Sequence, residues 1–305
     1  MHFKEEITLN SIVSYPERGD GGSNAYRGNC SPKLIEDIID QYQLHSLSDY
    51  MMGSGTAADV CRAKNIPGRF LDLRYGFDML SMDIPDRPEN IFWHPPYHDI
   101  VVYSDGMYSA QEIVRKYGFD PRTHDLSRCR SWDDFTRKLD FCCLKQFTAL
   151  EKGGRMFLLL GDIKRQRRLY SMLLNVAKPG TVEQVIIKAQ HNCTSDSRRY
   201  SGHFVRIVHE YLLVLRKDSA LVFDIQLPHT TKGDVRDMRH VTWRDIVAAV
   251  LEEANGPMAL PEIYERIDGH RRCTGNPHWR DKIRQILHES PLFTAVSRGV
   301  YKYAG

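Results

Sequence analysis

His94-Pro95-Pro96-Tyr97 combines a proton acceptor, a rigid backbone and an aromatic ring directly after the apolar run Ile91-Phe92-Trp93. Two consecutive prolines fix the backbone, so the groups beside them are positioned before any ligand binds. Neutral histidine accepts one hydrogen bond, whereas imidazolium accepts none. The tetrapeptide therefore predicts a catalytic segment at the end of a strand. The alternative reading is that the prolines only end the strand.

A second candidate is the turn Met52-Gly53-Ser54-Gly55-Thr56, between a short strand that ends near Asp49 and a helix. Its glycines let the backbone approach a ligand, and the following helix start offers free amides. Asp72, about 20 residues on, fits the place of a carboxylate that holds a ribose diol. The spacing is neither GxGxxG nor GxxxxGK[ST], which argues against nicotinamide cofactors and nucleoside triphosphates. A phosphate-free cofactor with a ribose and an amino acid fits better, although a plain tight turn is possible.

Composition sets the broad class of the chain. Its 305 residues suffice for two domains, and 42% hydrophobic with 27% charged residues is typical of a soluble globular protein. The seven cysteines show no CxxC spacing, so we expect no disulfide framework, no metal site and a reducing cytoplasm. No apolar run is long enough to span a membrane, and we see no signal peptide. A net charge of +3 permits nucleic-acid binding, and the basic stretch 164–168 is most simply a solvated helix face.

Alternating strands and helices must position these segments. We predict helices over 31–42, 57–64, 132–152 and 169–176, and strands over 69–73, 91–93, 156–160, 182–189 and 205–215. This alternation indicates an α/β fold with a mainly parallel sheet and helices on both faces. The domain should cover residues 1–217, begin with a flexible arm over 1–25, and be followed by a linker over 218–240.

Residues 241–305 read as a second, smaller domain. Three apolar helical faces, begun by Trp243, Leu260 and Trp279, precede two short strands around Ser297-Arg298-Gly299. Three helices followed by a two-stranded wing predict a winged helix-turn-helix domain.

Several of these motifs, in this order, resemble the amino-methylating (N6-adenine/N4-cytosine) DNA methyltransferases. Asp49–Thr56 is similar to their D-P-F-x-G-S-G-T motif, and Gly28-Asn29-Cys30-Ser31-Pro32 is similar to their cofactor-methionine motif. His94–Tyr97 resembles their catalytic [DNS]-P-P-[YFW]. Residues 153–162 and 209–215 resemble later strands of the same fold. The resemblance covers residues 26–217 and implies a Rossmann-like class I methyltransferase sheet.

The resemblance also implies site roles. S-adenosyl-L-methionine would be the cofactor, with Asp72 at its ribose, Asp78 at its adenine, and Ser31 and Pro32 closing the pocket. A loop cap is the alternative for Asp78. Asp49, Gly53 and Gly55 would line the methionine end of the cofactor, and the other turn residues expected to bind it are Met51, Ser54 and Thr56.

In this family two acceptors surround an exocyclic amine, whose lone pair is otherwise delocalised into the base. Here the acceptors would be His94 and the carbonyl of Pro95, while Tyr97 would stack on a flipped base. Histidine departs from the family's Asp, Asn or Ser. We expect it to titrate near pH ~6.5, so that activity falls as pH drops through that value. The departure also leaves open a weakened enzyme that serves as a DNA-binding module.

The C-terminal segment resembles HARE-type winged-helix domains of restriction and modification enzymes, whose third helix would enter a major groove. The implied partner is double-stranded DNA, with N6 of adenine the more favoured target. N4 of cytosine, RNA and protein glutamine stay open, as do a protein-interaction winged helix and a homodimer. A prokaryotic or phage setting is expected. Base reading is assigned to residues 98–131 and 190–203. The candidate DNA contacts are Arg271, Arg272, His278, Arg280, Lys282, Arg284 and Arg298.

Overall fold

The computed structural model describes residues 9–191, 204–229 and 233–304. The chain divides into two compact units, Met1–Pro228 and His229–Gly305. This boundary differs from the predicted linker over 218–240. Ile225–Gln226 pairs with Lys178–Pro179 in the first unit. In the second unit, Arg236 forms an ion pair with Glu253 at 2.7 Å. The expected linker is thus divided between the two units.

The first unit is a mixed α/β structure. Its helices are α1 (Pro32–Tyr42), α2 (Thr56–Ala63), α3 (Ala110–Tyr117), α4 (Trp132–Ala149) and α5 (Met172–Asn175). Its strands are β1 (Ile12–Ser14), β2 (Asn90–Trp93), β3 (Arg155–Leu160), β4 (Asp162–Arg165), β5 (Arg168–Ser171), β6 (Lys178–Pro179), β7 (Thr181–Ala189), β8 (His209–Arg216) and β9 (Ile225–Gln226).

The central sheet has the order β1-β7-β8-β3-β2. Strands β2 and β3 are parallel, whereas β8 runs antiparallel to both β3 and β7. The mainly parallel sheet that we expected is therefore a mixed sheet with one reversed strand. Parallel bridges from Ser48 to Ile91 and from Asp49 to Phe70 extend the sheet beyond β2. This arrangement is consistent with the Rossmann-like α/β sheet that the sequence predicts.

Helices cover both faces of this sheet. Met156 and Leu158 of β3 pack in one buried cluster, with Phe135 and Phe147 of α4. Phe157 and Leu159 pack in the other cluster, with residues of α1 and α2. Successive side chains of a strand point to opposite faces, so a run of buried residues identifies a strand covered on both sides. This explains why the apolar run 156–160 was predictable.

The predicted helices over 31–42 and 132–152 are present as α1 and α4, whereas the helix predicted over 169–176 is largely wrong. Residues 162–171 form the antiparallel hairpin β4–β5, and only α5 is helical. Gln166 and Arg167 occupy its two-residue turn with φ of 48° and 64°. Such left-handed pairs match the twist of a hairpin. The basic stretch 164–168 is therefore a hairpin tip and not a helix face.

The second unit has the helices α6 (Trp243–Ala254), α7 (Leu260–Ile267), α8 (Arg271–Thr274) and α9 (Trp279–Glu289). Its strands β10 (Met258–Ala259), β11 (Phe293–Ser297) and β12 (Val300–Tyr303) form an antiparallel sheet in the order β10-β12-β11. Helix α8 and strand β10 were not predicted. Trp243, Ile263, Ile283 and Phe293 lie in one shared core. Across both units, no helix in the described ranges has the length and apolar character needed to span a membrane.

Candidate active site

Both predicted motifs lie at one edge of the central sheet. The bridge between Ser48 and Ile91 is parallel, so the segment that ends at Asp49 and strand β2 end on the same side. The carboxyl ends of adjacent parallel strands form the usual ligand-binding crevice of α/β proteins. Two cavities open there, and His94 lines both of them. The tertiary structure therefore brings the glycine turn and the tetrapeptide to one site.

The first cavity comprises about 820 Å³ of space, part of which is open to solvent. Pro96 and His94 line it from the tetrapeptide side, while Ser31, Pro32 and Gly55 are not among its lining residues. Most of the predicted cofactor residues do line it, namely Asp49, Met51, Gly53, Ser54, Thr56, Asp72 and Asp78.

The glycine turn is held by a carboxylate. The backbone N–H of Gly53 donates to Oδ2 of Asp72 at 2.9 Å, and Gly55 precedes the first turn of α2 with a φ of 85°. A Cβ at Gly55 would meet no atom within 4 Å. Glycine is therefore favoured at position 55 by its left-handed backbone, and not by close contact with the protein.

Carboxylates dominate the charge of the first cavity. Asp49, Asp72, Asp78 and Asp125 line it, and its lining residues in the described ranges include no lysine or arginine. Burial raises the pKa of Asp49 to about 8 and that of Asp72 to about 6. An adjacent cation stabilises the ionised form of a buried carboxylate, and an adjacent anion destabilises it. The cavity therefore suits a cationic ligand and disfavours a phosphorylated one.

Asp78 is both a turn cap and a cavity residue. Its side chain is 2% exposed, and Oδ1 accepts the backbone N–H of Leu80 at 2.9 Å. Oδ2 accepts from the hydroxyl of Ser81 and lies 2.6 Å from Nδ1 of His124. The alternative reading of Asp78 as a loop cap thus describes its hydrogen bonds, and its contact with adenine stays a prediction.

Residues 18–29 lie against the glycine turn. Ser31 donates from Oγ to the carbonyl oxygen of Arg18 at 2.8 Å and so anchors this segment, while closure of the pocket by Ser31 and Pro32 stays a prediction. The ring of Tyr26 stacks on that of Tyr103 with centroids 5.5 Å apart, and both line the two cavities. Asn24, at the end of the predicted arm over 1–25, lines the second cavity, and Tyr26 follows directly after that arm. Tyr103 belongs to the predicted segment 98–131, whereas Tyr26 was not identified from sequence, since a single aromatic residue in a polar segment carries no pattern.

The second cavity is wider, with an open volume of about 1770 Å³. Pro95 and Tyr97 line it beside His94, as do Asp162 and Glu210. The cationic residues at this cavity are Arg27, Lys164, Lys188 and Arg206. The cationic side chains outnumber the acidic ones in this cavity, whereas the first cavity is acidic, and the two cavities meet at the tetrapeptide.

A buried polar chain supports the tetrapeptide. The hydroxyl of Tyr97 donates to Oε1 of Glu210 at 2.7 Å and lies 3.0 Å from Nε2 of His94. Nζ of Lys188 lies 2.7 Å from Oε2 of Glu210. Sequence reasoning missed Lys188 and Glu210, although an acidic residue inside the apolar run of β8 was an available signal. Stacking of Tyr97 on a base stays a prediction.

The expected titration of His94 near pH 6.5 is wrong. Its side chain is 11% exposed. Burial lowers the pKa of His94 to about 4. The nearby Glu210 carboxylate raises this pKa only in part, and the charge of Lys188 lowers it further. His94 is therefore a neutral hydrogen-bonding group at physiological pH.

The candidate DNA contacts of the second unit fall into two groups. His278, Arg280, Lys282 and Arg284 are exposed on or beside α9, and Arg298 is exposed between β11 and β12. The other two anchor the chain that precedes α6. Arg271 donates to the carbonyl oxygen of Met238 and Arg272 donates to that of Val241, with the Arg272 guanidinium 5.4 Å from the Trp243 ring centre.

Some residues of the two segments that were expected to read bases line the cavities. Tyr103, Tyr108, His124 and Asp125 of residues 98–131 line the first cavity. From the predicted loop 190–203, Gln190 and His191 line the second cavity, whereas residues 192–203 lie outside the described ranges.

Protein-family models and curated proteins gave no match to this chain. Among solved structures, TrmN from Thermus thermophilus is similar with a TM-score of 0.29 and 17% identity, over 63% of this chain and 50% of that one. The apo form of the S-adenosylmethionine-dependent methyltransferase SibL gives a TM-score of 0.23 and 10% identity, over 61% of this chain and 47% of that one. The chain spans about half the length of each. Likeness at this level transfers no residue roles.

Proposed function

We propose that the chain is a methyltransferase that uses S-adenosyl-L-methionine to methylate an exocyclic amine of a base in duplex DNA, with N6 of adenine the favoured target. The observation that carries this proposal is the meeting of two unlike cavities at His94, one acidic and the other lined by cationic side chains. A cationic cofactor in the first and a polyanionic substrate in the second would meet at that residue.

The charge of the first cavity supports this cofactor. S-adenosyl-L-methionine carries a sulfonium and an ammonium group and no phosphate, so carboxylates with no lysine or arginine favour it over nicotinamide dinucleotides. Asp72 would accept the ribose diol, and the turn residues from Asp49 to Thr56 would hold the methionine end. The sulfonium supplies an electrophilic methyl group when the cofactor is bound.

The second cavity supports a nucleic-acid substrate. Cationic side chains attract the phosphate backbone. The exposed basic hairpin β4–β5 follows strand β3 directly in the chain. His94 and the Pro95 carbonyl would accept the protons of the target amine, which frees its lone pair. Tyr97 would form a side of the base pocket.

The second unit is proposed to be a winged helix that binds DNA. Its order of helix, short strand, further helices and two-stranded hairpin supports this assignment. Helix α9 would occupy the major groove, with exposed Arg280, Lys282 and Arg284 available to bases or phosphates. Arg298 would contact phosphates from the wing.

The test is methyl transfer from tritiated S-adenosyl-L-methionine to duplex DNA, RNA and protein, with identification of the modified nucleoside. We expect N6-methyladenine in duplex DNA and loss of transfer in His94→Ala. Calorimetry of cofactor binding to the same variant is the control, since the cofactor is held mainly by the glycine turn. Transfer to RNA, to cytosine or to protein would replace the substrate assignment. Cofactor binding with no transfer to any of them would identify a binding module.

A further inference from the structure

Four side chains, two of them buried and two half-buried, form one continuous chain of polar contacts, and its last member is the proposed amine acceptor. Lys188 contacts Glu210 at 2.7 Å, Glu210 accepts from Tyr97 at 2.7 Å, and the Tyr97 hydroxyl lies 3.0 Å from Nε2 of His94. Lys188 and Glu210 are 8% and 6% exposed. Four polar side chains on three segments of the fold are thus aligned within the protein.

The direction of these hydrogen bonds follows from the charge of Glu210. Burial by itself would raise the pKa of this carboxyl, but Lys188, His94 and the hydrogen bond from Tyr97 together hold it below its usual value. An ionised carboxylate only accepts hydrogen bonds, so the single hydroxyl proton of Tyr97 points to Glu210. The Tyr97 oxygen can then contact His94 only as an acceptor.

This direction determines the tautomer of His94. A neutral imidazole carries one proton, and a donor at Nε2 leaves the lone pair on Nδ1. Within residues 9–191, 204–229 and 233–304, the hydrogen bond of the His94 ring is made by Nε2. Nδ1 is therefore the ring atom left to accept.

We propose that Glu210 is a positioning residue which, through the Tyr97 hydroxyl, holds His94 as the Nε2–H tautomer and leaves Nδ1 to accept a proton of the target amine. The inference rests on the proposed function for the identity of that amine. The bound cofactor would supply the methyl group: the amine nitrogen would bond to the methyl carbon, the carbon–sulfur bonding pair would leave with sulfur, and one N–H proton would pass to Nδ1 of His94. The resulting imidazolium is stabilised by the Glu210 carboxylate, which lies 4.0 Å from Nε2.

A purely structural role is the competing explanation, because a buried ion pair such as Lys188–Glu210 also holds β7 to β8. The two roles differ in what they predict for the imidazole ring. A structural pair leaves the tautomer of His94 unspecified, whereas the proposed chain of hydrogen bonds specifies one nitrogen.

The tautomer is measurable on the full chain without cofactor or substrate. Proteins labelled with ¹⁵N-histidine give distinct ring nitrogen shifts for the two tautomers, and His94→Asn identifies the His94 signals among the 13 histidines. We expect Nε2–H in the wild type. In Glu210→Gln the amide oxygen should turn to Lys188 and its NH₂ to Tyr97, which reverses the hydroxyl and yields Nδ1–H. Tyr97→Phe should give a mixture while retaining the Lys188–Glu210 pair.

Tyr211→Phe is the matched control. This tyrosine is also on β8, and its hydroxyl contacts His209 at 2.8 Å, outside the proposed chain. It should leave the His94 signals unchanged. In parallel, Glu210→Gln and Tyr97→Phe should lower kcat with little change in the KM for cofactor, since only acceptor placement is altered. Wild-type His94 as Nδ1–H, or an unchanged Nε2–H signal in Tyr97→Phe, would overturn the proposal. A correct tautomer pattern in a protein that transfers no methyl group would instead count against the proposed function.

Discussion

Gly161 lies directly against the ring of Tyr97. A Cβ built at position 161 would be 2.6 Å from Cδ2 and 2.7 Å from Cζ of that ring. Side-chain carbon atoms do not pack this closely, so any other residue would displace the tyrosine. The glycine that follows β3 thus sets the position of the ring on which both the His94 contact and the Glu210 contact depend.

We therefore expect Gly161→Ala to impair methyl transfer and not cofactor binding. The displaced ring should separate the Tyr97 hydroxyl from His94 and Glu210, and a misplacement near 1 Å can cost on the order of 10²-fold in rate. Gly256→Ala is the control, because a Cβ there meets only a backbone oxygen at 3.9 Å. Single-turnover rates at saturating cofactor measure the effect of each substitution on methyl transfer. An unimpaired Gly161→Ala enzyme would show that the tyrosine position is not critical.

The second prediction concerns pH. The pKa of His94 is lowered to about 4, so the wild-type rate at saturating cofactor should stay level from pH 8 to 5 and fall only below that. The unfolded histidine titrates near about 6.5, so protonation favours the unfolded chain below that pH. His94→Ala should lose on the order of 10²-fold or more in rate if the acceptor acts only in the transition state. His94→Asn, which keeps an acceptor oxygen, should lose less. A wild-type midpoint at pH 6.5 would contradict the burial argument.

The third prediction is that cofactor binding releases protons. Burial raises the pKa of Asp49 to about 8, so this carboxyl group is largely protonated at pH 7. A bound cation favours the ionised form, so affinity should rise with pH between 6 and 8. Calorimetry at pH 7 in two buffers of different ionisation enthalpy measures this release. Asp49→Asn should abolish most of the release, and equal apparent enthalpies for the wild type would contradict the prediction.

The ribose assignment is tested by Asp72→Ala. One charged hydrogen bond is worth about 1.5–3 kcal/mol, and binding should weaken by at least that amount. The loss should include a structural part, because Asp72 also accepts the backbone N–H groups of Gly53 and Arg74 at 2.9 and 3.0 Å. A cofactor analogue without the 2′-hydroxyl separates the two parts: its affinity for wild type and variant should differ less than that of the intact cofactor.

Truncation separates the two units. A chain that ends at Pro228 should keep cofactor affinity and lose affinity for duplex DNA, with a smaller slope of binding against salt. A chain that ends at Lys217 should be less stable, because it lacks β9, the partner of β6, and Phe223, whose ring centre lies 5.0 Å from that of Phe147. Melting temperature and DNA titrations at several salt concentrations test both chains. Undiminished DNA binding by the chain that ends at Pro228 would exclude the second unit as a DNA module.

Paired substitutions test the surface of the second unit. Lys282→Ala on exposed α9 should weaken DNA binding and leave stability unchanged. Arg272→Ala should instead lower the stability of this unit by about 1 kcal/mol, since it loses a hydrogen bond to Val241 and a contact with the Trp243 ring. Thermal unfolding and DNA titration of both proteins suffice. The reverse pattern would show that Arg272, and not α9, contacts DNA.

The sequence by itself determined the elements whose signal is local. The helix start at Ser31-Pro32, the buried strand 156–160, the strand end at the two prolines and the glycine turn before Thr56 are all present. A proline in the first turn of a helix, a run of apolar side chains and a left-handed glycine each act on the backbone within a few residues, so these elements can be predicted without knowledge of distant contacts.

Only the tertiary structure decided the ionisation and orientation of the site. Lys188 and Glu210 lie 22 residues apart, and Tyr97 and Glu210 lie 113 residues apart, so their contacts depend on strand order and register. The lowered pKa of His94 and the raised pKa of Asp49 both arise from burial, which is a property of the assembled core. The hairpin at 162–171 was not predicted, because it depends on strand pairing and not on a pattern within a single strand. Its residues favour a helix locally, and the pairing of β4 with β5 overrides that weak preference.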